Sequence, residues 1–257
     1  MSQSDFNAAL VPVQSSTLAI RGSASLAKRG LGELQLLESA EAWFEKAKKA
    51  KSEERFEECL ECLQRTVALD PQHAEAMEWL GVAYRKGCGV PRDYDQAALW
   101  LGKAAMRGSA EAQFQLGGVY HDGRNVSQYY TQAAIWWRAA AEQGHPEAQF
   151  QLGMAYENGR GVAQDYEEAT RWYSMAAEQG DALAQNNLGW NYSVGQGVPQ
   201  NYSEAYFWLL LAAEQGYAAV PDSVVSQLTP TQQLEVEMRA EGWIGEHLNP
   251  TSPKGTY

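Results

Sequence analysis

The chain has 257 residues, with 20 Lys+Arg against 32 Asp+Glu, and its net charge of −12 repels phosphate at long range, which argues against nucleic-acid binding. The apolar fraction of 45% and charged fraction of 20% are those of a globular protein and exclude a wholly disordered chain, and 9 Trp and 13 Tyr supply rings that must be buried somewhere. No run approaches the roughly 18 apolar residues of a membrane span, and three cysteines are too few for a disulfide scaffold, which suits a reducing compartment.

From the N-terminus, residues 1–38 are expected to be mostly disordered, and residues 1–22 are Ser/Ala-rich. They lack a basic n-region, and the apolar run Ala8–Val13 contains Pro12, so no secretory signal is read and a cytoplasmic location is expected. Leu26, Leu31, Leu34 and Leu37 allow a short helix that caps the first helix pair, or a docking or export segment. Residues 39–73 read as a helix pair, with Trp43 and Ala47 in the first helix, Cys59 and Leu63 in the second, and an exit at Ala68-Leu69-Asp70-Pro71.

A 36-residue period then runs through four copies: 74–109, 110–145, 146–181 and 182–217. Leu80, Leu116, Leu152 and Leu188 each precede a glycine, and Tyr84, Tyr120, Tyr156 and Tyr192 come three residues after it. The second half of each copy carries Trp100, Trp136, Trp172 or Trp208, an Ala-Ala pair and a closing glycine at Gly108, Gly144, Gly180 or Gly216. Ala76, Leu80, Ala83 and Tyr84 stand on one face of a first helix, and Tyr94, Ala97, Trp100, Leu101, Ala104 and Ala105 on one face of a second. Glycine inside a helix costs about 1 kcal/mol against alanine, so Gly81 and its equivalents imply close approach of the partner helix, whose Ala and Trp side chains would meet a Cβ there. Gly87 and Gly89, with their equivalents, supply the turn, and Asp93, Asp165 and Asn201 stand at the N-cap of the second helix. The second copy departs, with Asn125 for the glycine and Tyr129 at the cap position.

After the copies, residues 218–248 read as terminal capping helices: Thr229-Pro230-Thr231-Gln232 opens a helix with a capping box, and Leu234, Met238 and Trp243 form its apolar stripe. Residues 249–257 are expected to be a flexible tail.

The repeated residues A-x-A-x-x-x-L-G-x-x-Y-x-x-G-x-G-V-x-x-D-Y-x-x-A-x-x-W-x-x-x-A-A-x-x-G resemble the Sel-one-like repeat, a relative of the tetratricopeptide repeat, over residues 74–217. Residues 39–73 look like one tetratricopeptide unit. The resemblance, to a family with bacterial members, implies an all-α fold, a right-handed α/α superhelical solenoid whose members act as adaptors and scaffolds for other proteins. It also brings alternatives. Some bacterial relatives with regularly paired cysteines are linked to β-lactam hydrolysis or binding, although such pairs are absent from these repeats, and a secretion-associated effector or immunity factor is a further reading.

The residues themselves offer no catalytic constellation. Cys59 and Cys62 fall inside a predicted helix, where they read as small buried hydrophobes, and Cys88 lies in a loop. The four histidines are scattered, and the Gly-x-Gly-Val turns follow a helix and lack the Gly-Lys-Ser/Thr of a phosphate loop. No enzyme activity, cofactor or metal is therefore expected. A solenoid presents a concave groove, lined by the first helix of each repeat, that suits a partner's extended peptide or helix. Three rows of groove positions stack at the repeat period: Glu78, Phe114, Phe150, Asn186; then Val82, Gly118, Met154, Trp190; then Arg85, His121, Glu157, Ser193. Phe114, His121, Phe150, Met154, Glu157, Asn186, Asn187 and Trp190 are the candidate partner-binding residues. Phe114 and Phe150 also fit a packing role, whereas Met154 and Trp190 follow no repeated rule. The third copy holds two basic residues against seven acidic, a sum of −5. The expected partner is thus a protein segment with apolar anchors and some basic character.

Overall fold

Helices follow one another from end to end in the computed structural model, which describes residues 39–123 and 127–247. The expectations for residues 1–38, Asn125 and the tail at 249–257 fall outside the described residues. Two helices, α1 (Ala40–Ser52) and α2 (Phe56–Leu69), pack as a pair. Then come α3 (Ala74–Lys86) with α4 (Tyr94–Ala105), α5 (Ala110–Gly123) with α6 (Ser127–Glu142), α7 (Pro146–Asn158) with α8 (Tyr166–Glu178), and α9 (Ala182–Val194) with α10 (Tyr202–Glu214). A single turn, α11 (Asp222–Val225), and a long last helix, α12 (Pro230–His247), complete the order. The described residues are all-α, and each pair stacks on the next to form an α/α solenoid.

Local signals explain the boundaries. Asp93, Asp165 and Asn201 take the N-cap role, each side chain accepting from two first-turn N–H groups. First helices are capped by His73, Ser109, His145 and Asp181. They end at Gly87, Gly159 and Gly195 with φ of 77°, 64° and 74°, the left-handed conformation that glycine adopts without strain. The second copy is different: α6 starts at Ser127, so Tyr129 lies inside the helix and is not its cap. A tyrosine hydroxyl stands too far from its own backbone to accept the N–H groups that a short Asp or Asn reaches.

Within each pair the two axes are drawn together at a glycine. A Cβ on Gly81, Gly117, Gly153 or Gly189 would stand 2.4 to 2.6 Å from Leu101, Trp137, Tyr173 or Leu209 respectively. The close approach read from the sequence is present, but the residue that fills it is the one after the Trp100, Trp136, Trp172 and Trp208 row.

A row of buried glutamines, which the repeat motif leaves unmarked, joins pair to pair. Gln149 donates its Nε2 to the Ala141 carbonyl of the preceding pair at 3.1 Å, and its Oε1 accepts from Gln179 at 2.7 Å. Gln113 does the same with Ala105 and Gln143, and Gln185 with Ala177 and Gln215. In the first repeat this position is Met77, and Arg107, at the register of Gln143, instead binds Gln72 and the Pro71 carbonyl.

At the far end α12 covers α10. Val236 and Ala240 are buried with Phe207, Trp208, Leu211, Val224 and Leu228, and Trp243 and Ile244 pack beside them. The expected stripe of Leu234, Met238 and Trp243 is therefore corrected: only Trp243 faces the core, and Leu234 and Met238 are exposed. With about 100° per residue, positions 236, 240, 243 and 244 share one face, and 234 and 238 fall opposite it.

Two buried tyrosines donate to carboxylates across helices, Tyr173 to Glu157 and Tyr206 to Glu237, each at 2.8 Å. Burial first and the carboxylate second hold both phenols neutral above the ordinary range, Tyr206 up to about 12.

The packing makes two substitutions diverge. Gly153→Ala should lower stability by about 2 kcal/mol through overpacking. Gly102→Ala in α4, where a Cβ meets no atom within 4 Å, should raise it by about 0.5–1 kcal/mol through helix propensity. Denaturant melts that rank the two in reverse would contradict the packing described. As for pH, an unfolded tyrosine ionises near about 10, so between that value and about 12 the native chain keeps protons that the unfolded chain has lost. Stability should fall as pH rises through this window, and less steeply in Tyr173→Phe and Tyr206→Phe; equal slopes in all three proteins would contradict it.

Candidate functional site

Polar side chains on and before the first helices link one repeat to the next. From α3, Arg85 donates to Gln115 and Asp122 of α5, both at 2.7 Å. Ser109 donates to Glu78 at 2.9 Å. His145, whose Nδ1 accepts from Ala148, turns its Nε2–H to Glu111 at 2.9 Å. That bond holds the Glu111 carboxyl below the usual carboxylate range against the opposing effect of burial.

The candidate residues divide into three groups on this face. The first gathers at Tyr173: the Phe150 ring lies 5.8 Å from it, Glu157 accepts from its hydroxyl, and the Asn187 amide lies near that hydroxyl. Phe150 is buried, and Met154 is half-buried against the same cluster. The second is on α9, where Asn186 makes a long 3.5 Å bond to Asn187 and Trp190 stands 43% exposed. Of the 9 tryptophans, Trp190 is the exposed one. The third lies one repeat earlier. Phe114 stacks on His145 at 4.7 Å, and His121 shares Asp122 with Arg85 while its ring lies 5.6 Å from both Tyr130 and Trp137. Burial pushes the Asp122 carboxyl up, but hydrogen bonds from His121 and Arg85 outweigh it and hold the group below its ordinary value. At Gly118 a Cβ would meet the Arg85 guanidinium at 2.7 Å, so the missing side chain makes room for the cation.

The structure thus assembles Phe150, Glu157 and Asn187 around one buried phenol and gives Phe114 and Phe150 packing partners. It leaves Trp190 as a large ring presented to the outside. A further feature lies outside the candidate set. Where α2, α3 and α5 meet, a cleft of about 430 Å³ is lined by Leu60, Leu63, Glu78, Trp79, Val82 and Gln115. Glu78 and Val82 head two of the stacked rows, so the cleft continues them. Lys51 sits 3.7 Å over the Trp79 ring, and burial pushes the Glu78 carboxyl up. The signal in the sequence is Trp79 itself, an indole where the later copies carry Gln115, Gln151 and Asn187. Cys59 and Cys62 are buried in α2, burial raising both thiols. Among the described residues no group of three or more His, Cys, Asp or Glu is placed to hold a metal ion, and no helix is long and apolar enough to cross a membrane.

Such a face offers rings, a thioether, amides and carboxylates over several repeats. Comparison with known proteins agrees with the architecture. The chain is 26% identical to the protective antigen of uropathogenic Escherichia coli that displays an SLR fold, with a TM-score of 0.72 over 85% of this chain and 50% of that one. It therefore spans half the length of that protein. A Sel1 repeat protein from Oxalobacter formigenes is 28% identical, with a TM-score of 0.61 over 83% of this chain and 86% of the other. No curated protein matches the sequence. The Sel1 repeat model matches residues 24–52, 74–109, 110–145, 146–181 and 182–217, taking in α1 and the helix pairs from α3 to α10. With most of its length in these matches and its helices paired as in the two solved structures, the chain belongs to the Sel1 repeat family.

Proposed function

We propose that this chain is a non-enzymatic adaptor that binds a partner protein's extended peptide or helix along the face formed by its first helices. The observation that carries this reading is Trp190, 43% exposed among rows whose other aromatic members, Phe114 and Phe150, are packed against neighbours. An exposed indole is a recurrent anchor of protein interfaces, and a half-buried thioether such as Met154 adapts to the side chain it meets. Asn186, Asn187 and Glu157 supply orienting polar groups beside them. The third copy, with seven acidic residues against two basic, favours a partner segment of basic character around its apolar anchors. His121, bonded to Asp122, serves here as a polar contact. The three free cysteines suit work in a reducing compartment such as the cytoplasm.

The test begins with a partner captured by the full chain and its affinity by calorimetry. Trp190→Ala should weaken the complex by about 2 kcal/mol or more and Met154→Ala by about 1 kcal/mol, as interface truncations do, with the helical circular dichroism unchanged. Added salt should slow association more than it speeds dissociation. If both variants bind as the wild type does, the groove is not the binding face.

A further inference from the structure

The last helix carries two large apolar residues that neither the core nor the groove uses. α12 is pinned on its inner side by Val236 and Ala240, by Tyr206 donating to Glu237, and by Arg239 paired with Glu204 at 2.6 Å. On its outer side Leu234 is 58% and Met238 64% exposed, one helical turn apart. Gly242 continues the line, and a Cβ built on it meets no atom within 4 Å, so this side of the helix is open backbone. Beside it a cleft of about 450 Å³ runs between α10 and α12, lined by Phe207, Trp208, Met238, Gly242 and Trp243. Met238 borders both the open face and the cleft. A side chain arriving over the face would find the half-buried Trp243 at the edge of this cleft, with Phe207 and Trp208 buried beneath.

The charges around this surface identify what it takes. Glu235, Glu241 and Glu246 flank Leu234 and Met238 on the same helix, and Glu178 lies at the cleft with Glu246. All four are exposed, and none makes an ion pair within the described residues. The nearby Arg239 is occupied by Glu204 and lies over the Phe207 ring. A second copy of this helix would bring like carboxylates together, and an anionic membrane would be repelled. An amphipathic helix with leucines on one side and lysines or arginines at its rim satisfies both the apolar residues and the unpaired carboxylates.

We propose that the outer face of α12, with the cleft beside it, is a second docking surface that takes a basic amphipathic helix of a partner protein, independently of the groove.

The experiment uses the full chain and a fluorescently labelled synthetic helix of leucine and lysine at heptad spacing, about 14 residues or four turns long, read by anisotropy. The wild type should bind it. Leu234→Ser with Met238→Ser, both exposed and so without effect on the melting temperature, should raise Kd by about tenfold or more. Glu235→Gln, Glu241→Gln and Glu246→Gln together should weaken binding and flatten its dependence on salt. The double variant is also measured in a Trp190→Ala background, where the groove's anchor is gone, and the loss of affinity should be the same there, which separates this surface from the groove. No binding by the wild type, an unchanged Kd in the Leu234/Met238 double variant, or a loss of affinity that vanishes in the Trp190→Ala background overturns the proposal. So does a dimer in sedimentation, or adsorption to anionic vesicles, that the double variant abolishes, since either gives the face a different occupant.

Discussion

Close approach of two helices at a glycine sets the geometry of every repeat. The atoms that would meet a Cβ at 2.4 to 2.6 Å belong to Leu101, Trp137, Tyr173 and Leu209, all buried, whereas ordinary carbon contacts lie at about 3.5–4.0 Å. The helical glycine costs about 1 kcal/mol against alanine, while full burial of a leucine or aromatic side chain contributes about 1.5–3 kcal/mol. The packing term wins, so glycine is retained at the centre of each first helix. Once one pair is fixed, the buried glutamine fixes the next. Gln149 and its equivalents hold two partners each, one behind and one ahead, and a carboxamide left unpaired at that depth would cost about 1–3 kcal/mol. Stacking therefore has one register.

That division of labour explains why one side of the first helices is free to vary. The residues toward the partner helix are spent on leucine, alanine and glycine, and the second helices end in the alanines and glutamines that the clasp uses. The first helices keep a third side, whose occupants change from copy to copy: Val82, Gly118, Met154, Trp190 at one register and Arg85, His121, Glu157, Ser193 at another. Variation at fixed spacing on a rigid frame is how a solenoid acquires a particular surface without altering its fold. Tyr173 shows how frame and surface meet, since the phenol that fills the space at Gly153 also holds Glu157 in place.

The helix pairs were legible because the period is unbroken and each boundary carries its own chemistry, from the caps at Asp93, Asp165 and Asn201 to the left-handed glycines after the first helices. Other features were not, for identifiable reasons. Gln113, Gln149 and Gln185 recur in three of the four copies, but a polar residue reads as solvated until its partners 8 residues back and 30 ahead are seen together. The side chain facing Gly153 was one position off because rotation along α8 decides between Trp172 and Tyr173, and both are aromatic. On α12 no period is available, so composition alone points Leu234 and Met238 at the core, while the narrower side chains of Val236 and Ala240 are what fit against α10. For the groove, the spacing gave the rows but not their burial, which separates Phe150 from Trp190.

Site-specific photo-crosslinking tests the central claim most directly. A benzophenone amino acid replaces Trp190 on the first-helix face in one protein and Ile135, 52% exposed on the second helix α6, in another. The account predicts that a bound partner is crosslinked from position 190 and not from position 135. Adducts from position 135 alone would place the partner on the opposite side of the solenoid and contradict it.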